Sequence, residues 1–292
     1  SYVSINRPFC KKLYIEQVLA KSSRMIVTSN GIKENIKKMM NINIGVIPLG
    51  LFKYEKNDKI EARHIIAKHG LDLRDKFVVF NGNPNTKHRR LDISIKACVS
   101  FYKKNRDAIF LFTGDSNSRD GWNLDEITQT ELGSCECFKF ITINNKSLKN
   151  ILLSCCDVGI HTCDGIDIPI EAISQASAGV PQIVGNYGGY KDYFTSDFSL
   201  LIDHQDEYSY PNHARSAGGE GFILNPKDVQ NAIQKYYDDE KLLNDHSEKS
   251  FIHFKKTNQW GNIYETFKKL VLSDIKKNDQ NINENSILRN VS

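Results

Sequence analysis

Short apolar runs closed by turn residues recur along the chain, separated by stretches whose apolar positions follow a helical spacing. "RMIVTS" (Arg24–Ser29), "IGVIPL" (Ile44–Leu49), "KFVVFNG" (Lys76–Gly82), "AIFLFTG" (Ala108–Gly114), "CFKFITI" (Cys137–Ile143), "DVGIHT" (Asp157–Thr162) and "PQIVGN" (Pro181–Asn186) predict strands. "GIKENIKKMM", "LDISIKACVSFYKK", "SLKNILLSCC" and "PIEAISQASAG" predict the helices between them. The strand runs are apolar throughout rather than alternating, as strands covered on both faces require. Strand and helix in turn predict an α/β fold with a doubly wound, Rossmann-like parallel sheet.

Ligands of such sheets bind beyond the carboxyl ends of the strands. The candidate loops are then "NGNPNTKHRR", "TGDSNSR", "CDGID" and "GNYGGYKD", all rich in Gly, Asn, Asp or basic residues. Turn geometry accounts equally well for glycines such as Gly82 and Gly114. Neither a dinucleotide-binding glycine fingerprint nor a phosphate-binding P-loop follows any strand, so a ligand would be cradled differently.

Composition narrows the classes. The 292 residues are 40% hydrophobic and 25% charged, enough for one large or two smaller globular cores. The net charge of +4 is spread along the chain, which argues against nucleic acid as a partner and allows a modest preference for anions. No apolar run reaches membrane-spanning length, and "SYVSINRPFCKKLY" lacks the order of a signal peptide, so the expected location is the cytoplasm or its membrane surface. The seven cysteines, including "CEC" and "CC", lack zinc-site spacing and predict buried reduced thiols and no metal.

"DGIDIPIEA" (Asp164–Ala172) carries its acids around a proline where an apolar run gives way to a helix. Pro169 suits a first helical position, which puts Glu171 in the first turn and Asp164 at the strand end, facing one crevice beside free N–H groups. That arrangement suits a ligand with hydroxyls at its ends and phosphates between. Helix-dipole stabilisation accounts for an acid at Glu171, and turn chemistry for Asp164 and Asp167, so the residues alone leave both readings open.

The order of pieces resembles the retaining glycosyltransferases of family 4, which have the GT-B fold. That family shows an Asp-containing strand, Glu-Gly-Phe-Gly-x-Pro, a second Glu-Ala, Gly-x-Pro and a Gly-Gly loop. The counterparts here are Asp157, Asp164 to Pro169, Glu171-Ala172, Gly179-Val180-Pro181 and Gly188-Gly189. "VIPLGL" resembles the interdomain linker, and "FILNPKDVQNAIQKYYDD" with Trp260 the closing elements. The resemblance runs from Arg24 to Leu272, and the pattern is similar to members encoded by large DNA viruses. It implies a hexosyltransferase-like enzyme that moves a sugar from a nucleotide sugar, with retention, to a glycan, lipid or protein acceptor. Catalysis would come from positioning and charge stabilisation rather than an identifiable nucleophile.

On the same resemblance, Asp164 and Glu171 are the catalytic-site carboxylates, Asp164 touching the donor sugar and Glu171 the nucleotide ribose. Backbone amides at Gly165, Ile166, Asp167, Ile168, Gly188 and Gly189 would approach the sugar and phosphates. Gly82, Asn83, Lys87, Arg89, Arg90 and Gly114 complete the donor-binding set. No cofactor or obligatory metal is implied.

The chain departs from the pattern in places. Asp164 replaces a Glu at a spacing one residue shorter, and the family's Arg falls on Pro84, which leaves Arg89 near its Lys position and Lys87 or Arg90 as the cations to compensate. "VIPLG" comes so early that residues 1–49 read as the end of an acceptor-side domain, 50–256 as the donor-binding domain, 257–272 as a closing helix and 273–292 as a disordered tail. The chain would then be a fragment, a split enzyme whose acceptor domain a partner subunit or segment completes, or a shortened relative. An inactive nucleotide-sugar-binding subunit is the alternative. An epimerase or dehydrogenase would need the glycine fingerprint that follows none of the strands here. His161 reads as a structural histidine, His88 as a phosphate contact, 204–221 as an irregular insertion, and "KYYDDEKLLND" as a solvated amphipathic helix.

Overall fold

A computed structural model describes residues 25–39, 42–51, 54–133, 136–142, 145–165, 168–213 and 216–273. Its first unit is a small parallel pair, β1 (Met25–Val27) and β2 (Ile44–Val46), joined through α1 (Asn30–Met39). Val27, Ile32, Ile36 and Ile44 close that crossover around a core of their own.

The main sheet is six-stranded and parallel. In chain order it comprises β3 (Phe77–Asn81), β4 (Ala108–Thr113), β5 (Phe138–Ile141), β6 (Val158–Ile160), β7 (Gln182–Gly185) and β8 (Ser199–Ile202), arranged 5-4-3-6-7-8. The chain winds outward from β3 to β5, returns to β6 beside β3, and winds outward the other way. The switch point, where such sheets bind ligands, therefore lies between the carboxyl ends of β3 and β6.

The two-residue period of the strands sorts their side chains between the faces. Val78, Phe80 and Leu111 pack with Ala62 and Ile66 of α2 (Lys59–Lys68) and with Leu152 and Leu153 of α5 (Lys146–Cys155). Val79, Phe110 and Phe112 face the larger core, built with α3 (Leu91–Tyr102), α4 (Leu124–Leu132) and α8 (Pro226–Asp238). Local chemistry sets the helix starts. Asn123, Asn145 and Asn225 cap α4, α5 and α8, and Pro226 occupies a first position where its missing N–H costs nothing.

Three elements differ from the sequence expectation. Pro169 is the N-cap of α6 (Ile170–Ser177) rather than its first residue: its carbonyl accepts from Ile173 N at 2.9 Å, and its ψ of 66° is not helical. Within 204–221 two regular strands, β9 (Asp206–His213) and β10 (Ser216–Ile223, which runs on past 221), pair antiparallel as a hairpin. "KYYDDEKLLND" is broken at Asp239, which caps α9 (Glu240–Thr257), and its Tyr236 is fully buried with its hydroxyl 2.7 Å from His246 Nδ1. Cys98, Cys137, Cys155, Cys156 and Cys163 are buried.

The C-terminal part ties back to the linker. Asn258 Nδ2 donates to Leu49 O at 2.8 Å, Leu51 N donates to Asn258 O at 2.8 Å, and residues 260–273 are helical. No helix among the described residues is long and apolar enough to cross a membrane.

Candidate functional site

Beneath the switch-point crevice lies a buried polar network that aims its loops. Asn81, at the end of β3, donates to Ser94 Oγ at 3.0 Å and accepts from Asn83 N and Nδ2 at 3.0 and 2.9 Å. Asn83 Nδ2 also reaches His161 Nδ1 at 2.8 Å, and His161 Nε2 lies 2.9 Å from Gln182 Oε1. The Gln182 amide donates through Nε2 to Val180 O at 2.7 Å, so Oε1 is the acceptor and His161 carries its proton on Nε2. The loops after β3 and β6 are thus locked together across the switch point. Asn83 serves this network, and His161 is a structural histidine, 1% exposed.

Burial holds the His161 imidazole down to about 4 from its ordinary 6.5. Above pH 6.5 it is neutral folded and unfolded and contributes no pH dependence. Between 6.5 and 4 the unfolded chain takes up a proton that the folded chain refuses, so stability falls, by about 3 kcal/mol in all. Urea midpoints at pH 7.5, 5.5 and 4 should show this slope in the wild type, and His161→Gln should lose it.

The three basic residues of the 3₁₀ turn Lys87–Arg89 and its boundary part company. Lys87 Nζ sits 4.0 Å from the centroid of the Trp122 ring. Arg90 adopts a left-handed conformation (φ 50°) and forks onto Asp92, with both N–O distances 3.0 Å. Thr162 Oγ1 donates to the Arg90 carbonyl at 2.8 Å, which helps hold that uncommon backbone. Arg89 instead turns inward, with Nη1 3.5 Å from Cys163 Sγ. Its Nε is buried and has no hydrogen-bond partner. Burial opposes its charge, but Cys163, Tyr190 and Asp164 outweigh that and keep it cationic.

Tyr190 faces the same space. It begins α7 (Tyr190–Tyr193), directly after Gly188 and Gly189, and its buried hydroxyl lies beside the Cys163 thiol without a geometrically sound hydrogen bond to any described residue. Gly188 has φ 53°, a conformation that glycine adopts without cost. Two buried donors, Arg89 Nε and Tyr190 Oη, are thus left unsatisfied in one crevice. Sequence reasoning missed Tyr190, whose only signal is its place after the Gly-Gly loop.

Glu171 stands in the first turn of α6, half-buried, with Lys149 Nζ of α5 at 3.1 Å from Oε2. A Cβ added at Gly82 would lie 2.9 Å from Glu171 Oε2, so that glycine permits the close approach of the β3 loop to the carboxylate. Lys149 was also missed, since nothing local in the sequence pairs it with an acid on another helix.

Asp164 is 2% exposed and held on several sides. Its N–H donates to His88 O at 3.1 Å, its carbonyl accepts from Phe222 N at 2.6 Å, and the Tyr208 hydroxyl of β9 donates to its Oδ2. Gly165 is partly exposed beside it, and Ile168 is packed in the core. Gly114 lies at the end of β4 with φ 91° and open space around it. Ile166 and Asp167 lie outside the described residues. The arrangement offers an anion-seeking guanidinium and phenol near the Gly-Gly loop, and a carboxylate beside a glycine.

Among solved structures, the chain is similar to the sucrose-phosphate synthase of Thermosynechococcus elongatus, with TM-score 0.69 and 16% identity over 91% of this chain and 62% of that one. It is similar to Anabaena HepE in complex with UDP and glucose, with TM-score 0.70 and 14% identity over 90% and 66%. It is also similar to WaaG, a glycosyltransferase involved in lipopolysaccharide biosynthesis, with TM-score 0.64 and 12% identity over 82% and 60%. The chain spans under two thirds of the length of each. The likeness is one of fold, the α/β GT-B-type Rossmann-like sheet that the sequence predicts. No protein-family model matches the sequence, and no curated protein matches it.

Proposed function

We propose that the switch-point crevice binds a nucleoside-diphosphate sugar and that the chain transfers the sugar, with retention of configuration, as glycosyltransferases of family 4 do. The observation that carries this reading is the pair of buried, unsatisfied donors, Arg89 Nε and Tyr190 Oη, at the carboxyl ends of parallel strands. Leaving such groups unmade is costly, and an anion placed between them would satisfy both. A diphosphate there would gain most as negative charge develops on the departing nucleotide, which is how such a site lowers the barrier. Glu171 would accept from ribose hydroxyls, and Asp164 would face the sugar.

In this reading 50–256 is the donor unit, 1–49 and 257–272 belong to the acceptor side, and 273–292 is a tail. The acceptor is a glycan, lipid or protein, approached in the cytoplasm or at its membrane surface. No cofactor beyond the donor is required. A nucleotide-sugar-binding subunit without turnover is the second reading, favoured by the Tyr208 hydroxyl already occupying Asp164.

Calorimetric titration with UDP, GDP, ADP and their glucose or mannose conjugates tests the proposal, with hydrolysis followed in parallel. Saturable binding of one nucleotide series supports it, turnover separates transferase from binding subunit, and absence of binding to every nucleotide rejects it. Glu171→Ala should weaken the preferred nucleoside diphosphate about tenfold, the worth of a hydrogen bond to a charged group, while the lost helix-dipole and Lys149 contacts cost only about 1 kcal/mol of stability and leave the protein folded.

A further inference from the structure

The hairpin β9–β10 lies against the carboxylate that would meet the donor's sugar. Tyr208 donates its hydroxyl to Asp164 Oδ2, and Phe222, on the opposite strand, donates its N–H to the Asp164 carbonyl at 2.6 Å. Phe222 in turn stacks on Tyr187 at 4.8 Å between centroids, and the Tyr187 hydroxyl donates to Cys163 O at 2.7 Å. The hairpin is therefore fastened to both residues 163 and 164, and it leaves Asp164 only 2% exposed.

The cross-strand partner of Tyr208 is Gly221. A Cβ at Gly221 would come within 2.6 Å of the Tyr208 ring, so the missing side chain lets the phenol lie across β10 and reach Asp164. Any larger residue there would push it away.

We propose that Tyr208 is a specificity gate: its hydroxyl stands in for a sugar hydroxyl on Asp164, and a nucleotide sugar binds fully only by displacing it. This rests on the reading of the crevice as a donor site. The hairpin then acts on the sugar end of the ligand and leaves the nucleotide end untouched. It favours sugars whose hydroxyl offers Asp164 a better bond than the phenol does.

The test compares UDP with UDP-glucose, and GDP with GDP-mannose, by calorimetry on the full chain in wild type, Tyr208→Phe and Gly221→Ala. The expected result is that both variants bind the preferred nucleotide sugar about tenfold more tightly than wild type, while the matching nucleoside diphosphate binds all three equally. The Phe222 amide should also exchange with solvent faster in Tyr208→Phe, a readout that needs no ligand. Equal or weaker nucleotide-sugar binding in the variants, with the diphosphate still bound, overturns the gate alone. Failure of every nucleotide to bind any of the three proteins overturns the donor-site reading and the gate with it.

Discussion

Asp157→Ala should cost about 3 to 5 kcal/mol of folding stability, a large part of what a domain of this kind possesses. The carboxylate precedes β6 at the amino-terminal edge of the sheet and is buried, at 7% exposure. Oδ1 meets Lys59 Nζ at 2.7 Å, and Oδ2 meets both Arg63 Nη2 and Val78 N at 2.7 Å. It thereby joins α2 to the start of β3 and of β6. Truncation leaves the Arg63 guanidinium, only 13% exposed, with the Cys155 carbonyl as its remaining partner. The uncompensated charge, more than the lost bond, sets the size of the effect. Urea unfolding followed by far-ultraviolet circular dichroism measures it, and a loss below about 1 kcal/mol would contradict the argument. Asp157→Asn keeps an acceptor for Val78 and should fall between. Because the residue lies at the end of the sheet away from the crevice, the folded fraction should bind nucleotide as the wild type does.

Legibility in the sequence followed the range of the interactions. The strands from "KFVVFNG" to "PQIVGN" were readable because burial on both faces writes an apolar run into the local sequence, and their alternation with helices located the switch point. Glu171 in the first turn of α6 was readable from the proline before it, even though Pro169 caps the helix rather than entering it. The hairpin was hidden because Pro211 and the glycines from Gly218 to Gly221 interrupt the alternation that announces strands. Its purpose is visible only when Tyr208 is seen against Asp164, 44 residues away in sequence. Lys149 beside Glu171 and Arg63 beside Asp157 belong to the same class: pairs on separate elements that no periodicity records. The division of labour among Lys87, Arg89 and Arg90 was also out of reach, because neighbouring basic residues look alike until Trp122 and Asp92 engage two of them.

Arg89→Ala should weaken binding of the preferred nucleoside diphosphate by about a hundredfold or more, the scale of losing a buried charged contact. Lys87 and Arg90 cannot replace it, since one lies over Trp122 and the other is forked onto Asp92. A purely structural Arg89 would predict something else. Among the described residues its buried Nε has no hydrogen-bond partner and its Nη1 reaches a sulfur at 3.5 Å, so its charge is held by the electrostatics of Cys163, Tyr190 and Asp164, which outweigh its desolvation, more than by hydrogen bonds. Truncation should then lower thermal stability only slightly while affinity collapses. Arg89→Lys, which puts back the residue found at this position in the family the sequence resembles, should recover much of the affinity as a point charge without the fork. Calorimetric affinities and melting temperatures of the two variants, read together, separate the cases. A large stability loss with little change in affinity would place Arg89 in the scaffold and remove the anion from the crevice.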